Sequence, residues 1–393
     1  MFLLNTASFK IMPRVLIFSL ADLGTDFRLL RHVKSFASQP DSYVYLVGKC
    51  DTVLPSDIEQ LENVEIRQYH SKLNGILNTS IFFIPFLLFF TLFQIMVLLS
   101  GLGKIDFVLT STTRLYVNII IARLVRYFKK AKFILEIRPF QSIPNKSGPF
   151  QTRLETSLPS FADIRIVPSR SMQGYLQIKK INSHIIRDNP GTLFHPTTHL
   201  RKEISQLLGI TPNHGLIGIP IPFQEENYID FLVELVAKSE NFNVPLCFAV
   251  FGGGKSQQSL EHKIRQIEPK NVKVSVLPML ADVYPQVMGA CDLGISVSGA
   301  RLILDVSPEL IEMEWSCVPI AVYLKGCVRE VVSESNGFFF TNVDELVDVI
   351  KKVFVNKEVD IDSMKEDCKS KLVPWDDAWK SVMIPYLDHI KKD

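Results

Sequence analysis

Cysteines at C-x-x-C spacing are absent, and so is any cysteine/histidine cluster at metal-ligand spacing. The six cysteines (Cys50, Cys247, Cys291, Cys317, Cys327 and Cys368) stand far apart. That scatter excludes a zinc ribbon and a disulfide-framed secreted domain, and it predicts reduced thiols facing a cytosolic compartment, with no metal site. A charge imbalance is lacking too. Lysine and arginine total 43 against 41 acids, a net charge of +2, which gives no electrostatic case for nucleic acid. The opening MFLLNTASFK lacks the charged start and long apolar stretch of a signal peptide, and the apolar run VLIFSL after it reads better as a strand. No internal repeat or low-complexity tract is present.

What the chain does have is length and grease. At 393 residues, 47% of them hydrophobic and 21% charged, it is a globular sequence too long for one typical core, so two domains are expected. Charge disappears altogether between Lys72 and Lys104, and within that gap IFFIPFLLFFTLFQIMVLL, residues 81–99, is long enough to cross a bilayer. Its surroundings argue against a span. RVLIFSL and YVYLVG before it, and IDFVLTS and KFILEI after it, read as strands of one parallel sheet. A spanning helix would put half of them on each side of the membrane. The expectation is a membrane-associated segment over residues 76–100, a helix or hairpin lying in the interface and broken at Pro85; a helix packed inside the protein is the alternative. Basic residues gather at Arg123, Arg126, Lys129, Lys130 and Lys132, suited to an anionic surface or to a solvated helix face.

Alternating strand-like and helix-like stretches run to ADIRIVPSRSMQGYL, where Ser169 is placed to cap a helix. IIRDNPGTLFHPTTH then marks a linker. A second series follows: GLIGIPI, LCFAVFG, VKVSVLP, CDLGISVS and VPIAVYL. The expected architecture is α/β, with two doubly wound Rossmann-like domains facing a cleft, over residues 1–195 and 213–372, and a closing helix over 373–393. Trp375, Trp379, Val382 and Met383 give that helix its apolar face.

Ligands of such sheets bind beyond the carboxyl ends of the strands, so the loops there hold the candidates. In ADLGTDFRLLRH, Asp22 sits in the turn after the first strand, followed by Gly24, and Arg28 and His32 share one helix face. Asp22 suits a general base and equally an N-cap. Gly252, Gly253, Gly254 and Lys255, in FGGGKS, form a turn whose N–H groups could cradle a phosphate. The turn departs from a P-loop at Ala249, where that motif has glycine. Asp305, Glu309 and Glu312, and Glu330 in the next loop, could accept sugar or ribose hydroxyls, or serve only the helix dipole.

Several of these segments together resemble the chitobiosyldiphosphodolichol β-mannosyltransferase family, GT-B glycosyltransferases of the endoplasmic reticulum. LADLGTDFRLLRHVKSFA is similar to that family's G-D-x-G-R-S-P-R-M-x-x-H-x-x-S-L, through Asp22, Gly24, Arg28, His32 and Ser35. IIRDNPGTLFHP resembles Y-D-x-P-x-x-F, and CFAVFGGGK resembles I-T-G-K-G-P. VLPMLADVYPQVMGACDLGISVS resembles P-W-L-x-x-x-D-Y-P-x-L-L-x-x-A-D-L-G-V, and PWDDAW resembles W-D-E-S-W. Three departures stand out. Ala21 replaces the first glycine of G-D-x-G. LEIRPFQSI keeps an acid at Glu136 but has Arg138 for the family's histidine. Leu310 stands where S-S-G-L-D-L-P-M-K-V-V-D has lysine.

The resemblance implies transfer of mannose from GDP-mannose to the chitobiose of a dolichyl-pyrophosphate acceptor, with inversion and without metal or cofactor. It implies Asp22 or Glu136 as the catalytic base, with Gly24, Arg28 and His32 on the acceptor. Gly252–Lys255, Asp305, Glu309, Glu312 and Glu330 fall to the donor. It further implies the cytosolic face of the endoplasmic reticulum membrane as the location, and other glycosyltransferases of the pathway as partners. A catalytically silent homologue bound to an active transferase, and a P-loop nucleotide hydrolase, are the competing readings.

Overall fold

A computed structural model describes residues 13–68, 101–112, 117–138, 157–221, 226–252, 257–297 and 304–390, together with Phe93, Val97 and Leu99. The chain divides into two units. One comprises Met1–Arg187 with Trp375–Asp393, the other Asp188–Pro374.

The first unit is built on a seven-stranded sheet in the order β3-β2-β1-β4-β5-β6-β7. Its strands are β1 Arg14–Asp22, β2 Tyr43–Lys49, β3 Val64–Gln68, β4 Phe107–Ser111, β5 Lys132–Glu136, β6 Ile164–Val167 and β7 His184–Ile185. Every pairing is parallel. Central strands such as β4 are buried residue by residue, which is why they appear in the sequence as unbroken apolar runs and not as alternating ones. The four strands expected on either side of the apolar segment 81–99 do lie in this one sheet. The segment itself, apart from Phe93, Val97 and Leu99, falls outside the described residues. Among the described residues no helix is long and apolar enough to cross a membrane.

The second unit repeats the plan with six strands in the order β10-β9-β8-β11-β12-β13. These are β8 Gly215–Pro220, β9 Leu246–Phe251, β10 Val272–Leu277, β11 Leu293–Ser296, β12 Ile320–Tyr323 and β13 Gly337–Phe340, again all parallel. Apolar clusters include Leu216, Ala249 and Val322 on one face of the sheet and Ile217, Val250 and Ala321 on the other. Both sheets thus reverse strand order once, between β1 and β4 and between β8 and β11. In doubly wound sheets that reversal opens the crevice where ligands sit.

Five helices matter below: α1 Phe27–Ala37, α2 Val117–Lys129, α3 Tyr284–Gly289, α4 Pro308–Trp315 and α5 Trp375–Ile390. Trp375, Trp379, Val382 and Met383 are buried in the core of the first unit. The closing helix therefore belongs to that unit and is no separate segment. The boundary between units lies at Arg187/Asp188, earlier than the expected 195, because the linker already packs on the second unit. Phe194 meets the Tyr284 ring at 5.5 Å, and the Thr197 amide donates to the Gly289 carbonyl.

Candidate functional site

The turn after β1 is shaped by an irregularity in the strand. Ser19 pairs with Gly48 and Asp22 with the next residue, Lys49, so Leu20 and Ala21 bulge out. Bulges re-aim the side chains that follow them. Two of the bonds that hold it are from the Leu20 amide to Asn118 Oδ1 (3.2 Å) and from the Ala21 amide to Ser19 Oγ (3.1 Å). Asp22 emerges at the carboxyl end of β1 and accepts four hydrogen bonds. Its Oδ1 takes the amides of Gly24 (3.4 Å), Asp51 (3.0 Å) and Thr52 (3.4 Å), and its Oδ2 takes the Thr52 hydroxyl (2.7 Å). Partial burial works to raise its pKa, but these bonds, led by the Thr52 hydroxyl, outweigh it and hold the carboxyl below the ordinary range. The group is a carboxylate at neutral pH. Gly24 is needed because the loop after β2 crosses directly over it: a Cβ there would lie 2.2 Å from Thr52 Oγ1 and 2.9 Å from the Thr52 carbonyl oxygen.

Arg28, His32 and Glu136 are brought together, but facing inward. Glu136, at the end of β5, has no solvent exposure. Its Oε1 accepts from Arg28 Nε, and its Oε2 accepts from His32 Nε2 at 2.9 Å. Arg28 also donates to the Ile186 carbonyl and lies over the Trp375 ring, 5.1 Å from its centroid. The second nitrogen of His32, Nδ1, accepts from the Trp379 indole N–H at 3.1 Å. An indole can only donate, so Nδ1 carries no proton, and the proton of His32 resides on Nε2, facing Glu136. Burial, joined by the charges of Arg28 and Arg138, pushes the His32 pKa down against the pull of Glu136. Burial alone would raise Glu136, yet the Arg28 charge and the His32 bond keep it below the usual carboxylate range. The surroundings of Glu136 therefore differ from those expected of a base. Both its oxygens are occupied, and it anchors α1 and, through His32, α5.

Two contributors went unnoticed in the sequence. Asp26 caps α1 by accepting the Leu29 amide (3.0 Å) and is ion-paired with Arg138 from the loop after β5. Asn118 bridges the β1 bulge to the Ser111 carbonyl. A carboxylate directly before a helical run was a visible signal for the first. The second had none, because its partner lies 98 residues away.

In the second unit, β9 ends at Phe251 and Gly252 turns away with φ +155°, its amide donating to the Leu277 carbonyl at 3.0 Å. Gly253, Gly254 and Lys255 lie outside the described residues. Asp305 and Glu309 are half-buried on the segment that follows β11 into α4, and Glu330 follows the neighbouring strand β12. Glu312 accepts from the Tyr284 hydroxyl at 2.6 Å. Its pKa is raised by burial and by the nearby Glu309, while the Tyr284 bond works the other way. Leu310 is fully buried in the core, so no cation projects from the position where the mannosyltransferase motif has lysine. The candidates thus divide between the units: Asp22 stands at the strand-order reversal of the first, and in the second Asp305, Glu309 and Glu312 follow β11 at its reversal, while Gly252 follows β9 and Glu330 follows β12. Among the described residues no cluster of histidine, cysteine, aspartate or glutamate could hold a metal ion.

Solved structures share this architecture over the whole chain. Anabaena HepE, solved with UDP, superposes with a TM-score of 0.68 at 15% identity, over 97% of this chain and 100% of that one. A glycosyltransferase from Rickettsia africae gives 0.67 at 14% identity, over 97% and 98%. The sucrose-phosphate synthase of Thermosynechococcus elongatus gives 0.65 at 12%, over 97% and 98%. Two Rossmann-like parallel-sheet domains of this kind make the fold that of the GT-B glycosyltransferases. In sequence the chain is similar to proteins named chitobiosyldiphosphodolichol β-mannosyltransferase. That of Debaryomyces hansenii is 24% identical over 94% of this chain and 86% of its own length. That of Kluyveromyces lactis is 24% identical over 94% and 89%. The human protein of that name is 23% identical over 66% of this chain and 52% of its own length. No family model matches the sequence.

Proposed function

We propose that the protein is a glycosyltransferase that moves mannose from GDP-mannose to the chitobiose of a dolichyl-pyrophosphate acceptor, forming a β linkage with inversion. The observation that carries this reading is the similarity over 94% of the chain to proteins named chitobiosyldiphosphodolichol β-mannosyltransferase.

Inversion in one step needs a base for the acceptor hydroxyl and a cradle for the departing GDP. Asp22 takes the first role: it is ionised and lies at the strand-order reversal of the first unit. Its lowered pKa makes it a weak base, so proton transfer runs late, as the anomeric bond to GDP lengthens. Glu136, Arg28 and His32 act as positioning residues by fixing α1, whose N-terminus follows Asp22. In the second unit Gly252–Lys255 would receive the diphosphate at a helix start, and Asp305, Glu309, Glu312 and Glu330 the hydroxyls of mannose and ribose. No metal or further cofactor is required. The work is placed at the cytosolic face of the endoplasmic reticulum membrane, where the dolichol is embedded, with the apolar segment 81–99 holding the enzyme there and other transferases of the pathway as neighbours.

The test is incubation of the full chain with GDP-mannose and a short-chain lipid pyrophosphate chitobiose. The expected result is a β-mannosylated lipid, with Asp22→Asn lowering kcat by about 10²–10⁴-fold while thermal stability stays within about 1 kcal/mol. Buried Leu310 favours a second reading, a catalytically silent homologue, in which GDP binds and no transfer occurs. Failure to bind GDP at all overturns the donor assignment.

A further inference from the structure

Helix α2 is apolar on both of its faces. Ile119, Ile121, Ala122 and Val125 are buried on the inner side. The outer side carries Ile120, Leu124, Tyr127 and Phe128, exposed by 51%, 37%, 79% and 66%. These positions follow i, i+4, i+7 and i+8 and so form one stripe. The solvent stripe of a globular protein's helix is ordinarily polar. Phe93 and Val97, four residues apart, are likewise 57% and 55% exposed.

The charges carried by this stretch of chain itself are of a single sign. No acidic residue occurs between Asp106 and Glu136, while Arg123, Arg126, Lys129, Lys130 and Lys132 fall in that stretch. Arg126 is paired with Asp163 from a neighbouring loop (2.6 Å), and Arg123 stacks on Phe161, 4.0 Å from its centroid. Arg123 and Lys130 are both exposed. Beside them lies an apolar cavity of about 360 Å³ lined by Leu16, Leu99, Leu102, Ile105, Val125 and Phe128, with Lys129. That volume falls in the lower part of the range of small-ligand sites, roughly 300–1,000 Å³. Among the described residues, exposed apolar side chains elsewhere stand singly, as Ile178 and Val373 do, or as the short pair Met279 and Leu280, and need no partner.

We propose that the outer face of α2 docks on an anionic lipid bilayer. Tyr127 and Phe128 enter the boundary between headgroups and acyl chains, Arg123 and Lys130 meet the lipid phosphates, and one lipid chain fills the cavity. An apolar stripe flanked by cations matches a bilayer surface in both hydrophobicity and charge. The proposal deepens the membrane placement proposed above, and its test is separable from sugar transfer because it is read by binding alone.

The experiment floats the full chain on phosphatidylcholine vesicles with and without phosphatidylserine, using brominated acyl chains as a depth-dependent quencher. Phe128→Trp adds an indole at the proposed contact, and Tyr127→Trp does so at its more exposed neighbour should the first variant fold poorly. The expected result is that the added indole is quenched on anionic vesicles. Lys130→Glu should weaken binding about fivefold or more, and Tyr127→Ser with Phe128→Ser about tenfold or more. Three results overturn the proposal. The protein does not float with phosphatidylserine; or it floats with the added indole unquenched, so that attachment lies elsewhere; or the added indole is already shielded from aqueous iodide without vesicles, so that protein covers the face.

Discussion

The two units share a topology and differ in what they do with charge. Among the described residues the first buries Asp26, Arg28, His32, Asp106 and Glu136, whereas the second buries only Glu314 among its aspartate, glutamate, histidine, lysine and arginine side chains. In the first, the strand ends are plugged by a polar knot that ties α1 and β5 to α5, an element more than 300 residues distant from α1 in sequence. In the second, apolar packing reaches the strand ends, Leu310 included, and the carboxylates remain half-buried on the elements that follow them. One sheet uses buried ions to fix its own architecture. The other keeps its acids at the rim, where a ligand could reach them.

The strongest way to break this comparison is to empty one half of the buried pair. Arg28→Met should cost about 3–5 kcal/mol, because Glu136 is left buried without its cation. Glu309→Gln, at the second unit's rim, should stay within about 0.5 kcal/mol. Chemical denaturation of both variants measures the contrast, and equal costs would remove it.

A smaller effect comes from pH. His32 is held below the ordinary histidine value of about 6.5 by burial and then by the Arg28 and Arg138 charges. The unfolded chain therefore takes up this proton at a higher pH than the folded one. Stability is complete above the unfolded value and falls as pH drops below it, by up to ~1.4 kcal/mol per unit. Glu136, whose folded pKa is depressed, adds a loss of the same sign at lower pH. Melting temperatures at about pH 7.5 and about pH 5.5 should diverge in the parent and converge in His32→Gln.

A modest change is expected at Tyr284→Phe, which removes one hydrogen bond at a cost of about 0.5–1.5 kcal/mol. Because the Tyr284 hydroxyl lowers the Glu312 pKa, the substitution should move the Glu312 titration upward. Carbon-13 NMR of the side-chain carboxyl reads that shift.

The central strands were legible because a parallel strand covered on both faces must be apolar throughout. Three strands were not read from the sequence: β3, β7 and β13. Each closes the edge of a sheet, where burial is incomplete or the strand is short; VEIRQ in β3 is polar, and β7 has two residues. At the site, Asp22 and Gly24 were visible as a turn, but the loop that explains Gly24, at Thr52, was not. Arg28, His32 and Glu136 were each singled out. Their union was hidden, because a helical period says only which residues share a face, and nothing about the strand or indole opposite it.

Sequence by itself determined the two doubly wound domains, the linker and the closing helix, since periodicity and turn chemistry are local properties written in consecutive residues. Tertiary structure alone decided that the closing helix belongs to the first unit, and that Glu136 is a buried anchor while Asp22 stays at the strand end. Those outcomes depend on which distant groups reach a carboxylate first. Two donors, from Arg28 and His32, surround Glu136 in the core, whereas Asp22 is met, among the described residues, by the Gly24 amide of its own turn and by the amides and hydroxyl of the Asp51–Thr52 loop.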